Sequence, residues 1–113
     1  MIYSKYRNQK VIINGIKIAD SKKEDKRLNE LRLLEKVGEI HDLKTQVPFI
    51  LIPSFKHNDK TIRETKYIAD FTYEDKENNF IVEDVKSKAT RTRVYMIKKK
   101  LMLFRHGIEI KEI

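Results

Sequence analysis

Apolar and polar positions change period several times along the chain, and each change marks an element. Val11-Ile-Ile13 and Ile16-Lys-Ile18 flank Asn14-Gly15, which supplies the positive φ angles of a tight turn, so the pattern predicts a hairpin. Ser21-Lys-Lys-Glu24 has the form of a capping box. The helix it opens runs to about Val37, with Leu28, Leu31 and Leu34 on one face and Gly38 as its stop. Period two follows. One strand spans roughly Thr45 to Ile52 and is closed by Pro53. In the next, Lys66 to Tyr73, the side chains of Tyr67, Ala69, Phe71 and Tyr73 face one side, and Ile68 and Asp70 the other. Glu74 to Asn79 makes a polar turn, and Phe80 to Lys86 is a third strand. Thr90 or Thr92 caps a second helix reaching about Arg105, with Val94, Ile97, Leu101 and Phe104 as its stripe. Gly107 ends it, and Ile108 to Ile113 alternates as a last strand. The order is helix, three-stranded meander, helix, strand. That is an α/β domain whose central mixed sheet is flanked by helices.

Length and charge sharpen this picture. The 113 residues make a single domain, 1–113, with residues 1–10 as a loose arm. No apolar run nears the roughly 18 residues of a membrane span, and no signal core opens the chain. Cysteine is absent, which excludes disulfides and cysteine-ligated zinc and makes a cytoplasmic home the expectation. The net charge of +8 is concentrated rather than spread. Lys86, Lys88, Arg91, Arg93, Lys98, Lys99, Lys100 and Arg105 follow one another with no acidic residue among them. Such a segment is either a solvated helix face or the footprint of a polyanion, with the phosphate backbone of nucleic acid the leading partner. An interfacial membrane helix would need a Trp- or Phe-rich face that the segment lacks.

Two carboxylates stand out because each interrupts an apolar strand: Asp70 and Asp84. An unpaired carboxylate on a largely buried strand is costly and normally has a partner, a metal or a function. Paired residues of an antiparallel hairpin have a constant midpoint. For positions 70 and 84 it is 77, inside the polar turn. The two aspartates are therefore expected opposite each other on adjacent strands, with Lys86 one step along on the face of Asp84. Carboxylates so placed repel unless a cation lies between them, and Mg²⁺, with Mn²⁺ able to substitute, suits hard oxygen ligands. A lysine beside them can act on the attacking water and offset charge on a phosphate. The competing reading is a salt-bridged patch at a sheet edge.

Ile68-Ala-Asp70-Phe and Val82-Glu-Asp84-Val-Lys86 resemble the Asp…(Asp/Glu)-x-Lys signature of the PD-(D/E)XK nuclease superfamily. More closely, the chain is similar to a family of small phage proteins. The shared segments are Lys5-Tyr6-Arg7-Asn8, Asp20-Ser-Lys-Lys-Glu24, Asp42-Leu43…Gln46, Tyr67-Ile-Ala-Asp-Phe71, Glu83-Asp-Val-Lys86, Tyr95…Lys98…Lys100 and Gly107-Ile108. The resemblance implies a restriction-endonuclease-like core and an Mg²⁺-dependent endodeoxyribonuclease. Its substrate would be duplex or branched DNA, such as a Holliday junction, and a two-fold homodimer would suit symmetric cutting. It also implies an acidic metal ligand on the first helix, for which Glu24 is the best match and Glu35 the weaker one. Glu24 is equally the reciprocal residue of the capping box. Gln46 matches a recurrent position that can support the site. Lys88, Arg91, Arg93, Lys98, Lys99 and Lys100 are placed to hold DNA beside the metal. Glu83 should lie on the strand face opposite Asp84. His41, His57 and His106 lack metal-ligand spacing, and without a phosphate loop or dinucleotide fingerprint no nucleotide cofactor is expected. A non-catalytic phage nucleic-acid-binding module is the alternative; it needs only the basic segment.

Overall fold

A computed structural model describes residues 15–113, with side chains from residue 22 onward. The expected arm over residues 1–10 and the first hairpin strand, Val11-Ile-Ile13, lie outside the described residues. The elements are α1 (Gly15–Lys36), β1 (Ile40–Ile52), β2 (Phe55–His57), β3 (Lys60–Ile62), β4 (Thr65–Asp75), β5 (Phe80–Asp84), α2 (Arg93–His106) and β6 (Lys111–Glu112). The main sheet has the order β1-β4-β5-β6, antiparallel except for the parallel pair β5 and β6, and β2 and β3 form a separate ribbon. This is an α/β fold with a mixed sheet and two helices, and β1, β4 and β5 are the expected meander.

The first correction concerns α1. Ile16-Lys-Ile18 is helical, not a hairpin strand, and Ser21 lies inside the helix rather than at its cap. A lone two-stranded hairpin is marginal in water, and no Gly or Pro after Gly15 interrupts the helix before Gly38. The capping box therefore does not form, and with it goes the role that competed for Glu24. The other end is as expected: Gly38 adopts φ +86° just beyond the last turn, and Leu31 is fully buried with Leu28 and Leu34 around it.

Two cores lie on the sheet. One joins Leu31 of α1 to Ile40, Phe71, Tyr73 and Val85; the other joins Tyr95 and Met102 of α2 to Leu51, Tyr67, Ala69, Val82 and Ile110. Tyr67, Ala69, Phe71 and Tyr73 are thus divided between the cores instead of sharing one. The break falls at Asp70. Opposite it on β1, between the pairs Thr45–Phe71 and Val47–Ala69, Gln46 takes φ +53°. A left-handed glutamine carries strain of order 1–3 kcal/mol, and such strain concentrates at functional sites.

α2 has the expected limits but is rotated from the expected face, and of the expected stripe only Leu101 packs against the core. Thr92 caps it, accepting from the Tyr95 N–H at 3.1 Å, and Gly107 closes it at φ +67°. Val94, Ile97 and Phe104, expected inside, are exposed, Phe104 to 89%. Tyr95 and Met102 are buried in their place. The last strand is also shorter than expected, pairing only at Lys111–Glu112, while Ile108 and Ile110 pack into the α2 core. Among the described residues no helix is long and apolar enough to cross a membrane.

Candidate active site

β4 and β5 pair in the register the turn implies, Phe71 against Glu83 and Thr72 against Val82. One step further the backbone ladder gives way to side chains. Asp70 Oδ2 accepts the Val85 N–H at 2.8 Å, and the Asp70 and Asp84 carboxyl groups lie close enough to shift each other's titration. Both carboxyl groups are held above their ordinary range, so the protonated form is favoured.

Burial is the main reason, since Asp84 is only 3% exposed. It pushes the Asp84 carboxyl up to about 7, with the hydrogen bond and charge of Asp70 acting in the same direction. Asp70 is also raised, first by burial; its bonds to Asp84 and Val85 oppose the rise and the charge of Glu24 adds to it. Two groups support the anionic form of Asp84. The Tyr67 hydroxyl donates to Oδ2 at 2.6 Å, and Lys86 Nζ stands 3.5 Å from the same oxygen. Burial and Asp84 hold the Tyr67 phenol well above its ordinary range, so it remains a donor.

Lys86 is held from several sides. Its backbone N–H donates to Ile113, and its carbonyl accepts from Lys23 Nζ at 2.8 Å. Its ammonium lies 4.1 Å from the centroid of the Tyr95 ring. Tyr95 in turn donates to Glu112 Oε2 at 2.8 Å, and Glu112 also accepts from Lys99 Nζ at 2.9 Å and Arg91 Nε at 3.0 Å. These bonds, that of Lys99 foremost, pull the Glu112 carboxyl down to about 2.

The structure thus brings Asp70, Asp84 and Lys86 together as the spacing implies. Glu24 lies near enough for its charge to act on Asp70, and its Oε2 accepts from Gln46 Nε2 at 3.1 Å. Gln46 therefore links α1 to the strained point of β1 opposite Asp70. Among the described residues no group of three His, Cys, Asp or Glu side chains is gathered to hold a metal ion. Asp70 and Asp84 nonetheless fit one as a pair: they are hard oxygen donors on adjacent strands, the charge of Asp70 raises the cost of ionising Asp84, and a cation there would relieve their repulsion. Glu35 is elsewhere, accepting the Leu43 N–H at 3.1 Å. His41 meets Glu74, and His106 meets the Ile50 carbonyl.

Glu83 takes the face expected of it. Fully buried, it receives both arms of the Arg27 guanidinium at 2.8 and 2.7 Å and the Tyr73 hydroxyl. Of the six cations expected to hold DNA, Arg91 and Lys99 are engaged by Glu112, a correction to their reading as free phosphate contacts. Lys88, Arg93, Lys98 and Lys100 make no ion pair among the described residues. Sequence reasoning missed Tyr67, Tyr95, Glu112 and Lys23. Tyr67 carried a signal, an aromatic hydroxyl on the strand of Asp70. Glu112 carried none, because it reaches the site through a parallel pairing with Asp84 that no local pattern announces.

Neither a curated protein nor a solved structure matches the chain. A family described as "Protein of unknown function (DUF1064)" matches residues 3–111, and the chain belongs to that family.

Proposed function

We propose that the protein is a metal-dependent endodeoxyribonuclease of the PD-(D/E)XK type, built on a restriction-endonuclease-like core. The observation that carries this reading is the pairing of half-buried Asp70 with buried Asp84, both carboxyls held above their ordinary range, and the Lys86 ammonium 3.5 Å from Asp84. A purely structural carboxylate pair at this depth would be a standing cost with nothing gained. Asp70 and Asp84 would hold Mg²⁺ or Mn²⁺, with Glu24 the third acidic group beside them. The cation, when bound, supplies charge that polarises the phosphodiester and eases deprotonation of water.

The chain's own groups do the rest. Lys86, fixed between Asp84 and Tyr95, offsets the charge that builds on the phosphoryl oxygens. Water bonds to phosphorus as the ester bond to the departing oxygen breaks, and the proton lost by water is balanced by one gained at that oxygen. Lys88, Arg93, Lys98 and Lys100 on the segment following β5 contact flanking phosphates. Branched DNA such as a four-way junction, cut by a two-fold dimer, extends this reading by analogy with the superfamily.

The test is cleavage of end-labelled duplex, single-stranded, flap and four-way-junction DNA with Mg²⁺, Mn²⁺ or EDTA. Cutting should require metal and disappear in a folded Asp84→Ala variant. Tight DNA binding without cutting in any metal would instead leave a nucleic-acid-binding module.

A further inference from the structure

Lysine is a flexible stem with a compact charge, so a lysine that must act at one atom needs something to hold its end. Asp84 alone does not hold Lys86. At 3.5 Å the ammonium is well beyond the 2.7–2.9 Å typical of a charge-assisted hydrogen bond. Its other engagement is with the face of Tyr95, 4.1 Å from the ring centroid, a normal cation–π distance at which the negative face of the π-system attracts a cation. The lysine side chain is only 16% exposed, so water competes weakly for that charge.

The ring is itself immobilised. Tyr95 is buried in the α2 core, and its hydroxyl is tied to Glu112. Glu112 is clamped by Lys99 and Arg91, and its backbone pairs with Asp84 across the parallel β5–β6 ladder. The strand that presents the carboxylate and the strand that anchors the ring are therefore hydrogen-bonded neighbours. Ile113 adds to the frame: its N–H donates to the Asp84 carbonyl at 3.0 Å, and its carbonyl accepts from Lys86 at 3.2 Å. The distance from Asp84 to Tyr95, and hence the place of an ammonium between them, is set by this short frame.

We propose that Tyr95 is the positioning residue of Lys86, its ring a cationic platform that β6 holds in place through Glu112. The assignment of a catalytic role to Lys86 rests on the nuclease reading above; the platform itself does not. It also explains why Arg91 and Lys99 face an acid in a segment otherwise rich in unpaired cations. They serve the platform rather than a phosphate.

Two measurements on the full chain test this. The first needs no activity. In ¹H–¹³C spectra the Lys86 ε-methylene, assigned by its loss in Lys86→Arg, should resonate upfield of the other lysines because it lies over the Tyr95 ring. The shift should vanish in Tyr95→Leu and return in part in Tyr95→Phe, which keeps the ring but loses the hydroxyl's tie to Glu112. A Lys86 ε-methylene among the ordinary lysines in the unaltered protein overturns the proposal even if Tyr95→Leu does not fold. The second is steady-state cleavage. Tyr95→Leu should lose roughly tenfold or more in kcat with KM little changed, and Tyr95→Phe, which keeps the ring without its tie to Glu112, should recover only part of that loss. Equal losses in both variants, or a change confined to KM, would overturn the platform. An upfield Lys86 in a protein that cuts no DNA would uphold the platform and sink the nuclease reading alone.

Discussion

Glu83 and Asp84 are adjacent in the chain and both are buried, yet they live in opposite electrostatic worlds. Glu83 points to α1 and meets a guanidinium that answers it with two hydrogen bonds, plus a phenol. Asp84 also accepts from a phenol, but what it faces is another carboxylate, with its one ammonium at a distance. Strand geometry makes the two faces; the partners decide what each carboxylate is for. A buried acid with a matched cation is a fastener, here pinning α1 to β5. A buried acid facing another acid is short of positive charge, and under the proposed function a divalent cation would supply it.

The largest effect should come from breaking the fastener. Arg27→Ala leaves Glu83 buried without its counter-charge, and such losses cost about 3–5 kcal/mol. Urea unfolding should show the drop at neutral pH. Replacing both partners, Arg27→Met with Glu83→Leu, should recover most of it, since the cost lies in the orphaned charge and not in the missing bridge. If the single and double variants are equally unstable, Glu83 is not the fastener described here.

Removing a charge from the other face should do the reverse. The folded pKa of Asp84, about 7, lies above its ordinary 3.8. The stability this group contributes is therefore complete below about pH 4 and is lost as pH rises through 7. In metal-free solution, Asp84→Asn should stabilise the protein by roughly 2–4 kcal/mol at pH 8 and change little at pH 4, while cleavage is abolished. The difference between the two proteins' stability–pH curves isolates the effect. A flat difference would mean that Asp84 is not held against another acid. Addition of Mg²⁺ or Mn²⁺ at pH 8 should restore about 1–3 kcal/mol to the unaltered protein at concentrations well above Kd, and nothing to Asp84→Asn. Thermal melts with and without EDTA check this.

Much of the second face was legible in the sequence because its geometry is local. A polar turn centred near position 77 sets which residues of β4 and β5 meet, and period two then puts Glu83 behind and Lys86 beside Asp84. Gly38, Thr92 and Gly107 marked helix ends by capping chemistry, which acts within a few residues. The rotation of α2 was not legible. Val94, Tyr95, Met96, Ile97, Leu101, Met102, Leu103 and Phe104 make the helix apolar nearly all round, so the 3.6 period fits more than one face. What selects the true face is non-local: Tyr95 has a hydroxyl to satisfy, and Glu112 waits on β6. The helical start at Gly15 and the left-handed Gln46 also escaped, the first because an uninterrupted helix is preferred over a lone hairpin despite a good turn signal. Nothing in the residues around Gln46 announces its conformation.

The same distinction, between a charge with its opposite in hand and one without, orders the basic residues on and just before α2 and gives the smallest effect. Lys100 is exposed and has no acidic partner among the described residues, so a phosphate can take its charge at no internal cost. Arg91 can reach a phosphate only by leaving Glu112, whose carboxyl is held near 2 by the cations around it. Lys100→Ala should therefore reduce the salt dependence of DNA binding by about one counterion in the log–log slope and leave unfolding nearly unchanged. Arg91→Ala should alter that slope less and lower stability more, because it loosens the clamp on Glu112. Fluorescence anisotropy at several salt concentrations, paired with denaturant melts, separates the two. If both variants move the slope equally, Arg91 leaves Glu112 freely when DNA arrives. The contrast between partnered and unpartnered charge would then hold for the buried face of the sheet but not for the surface of α2.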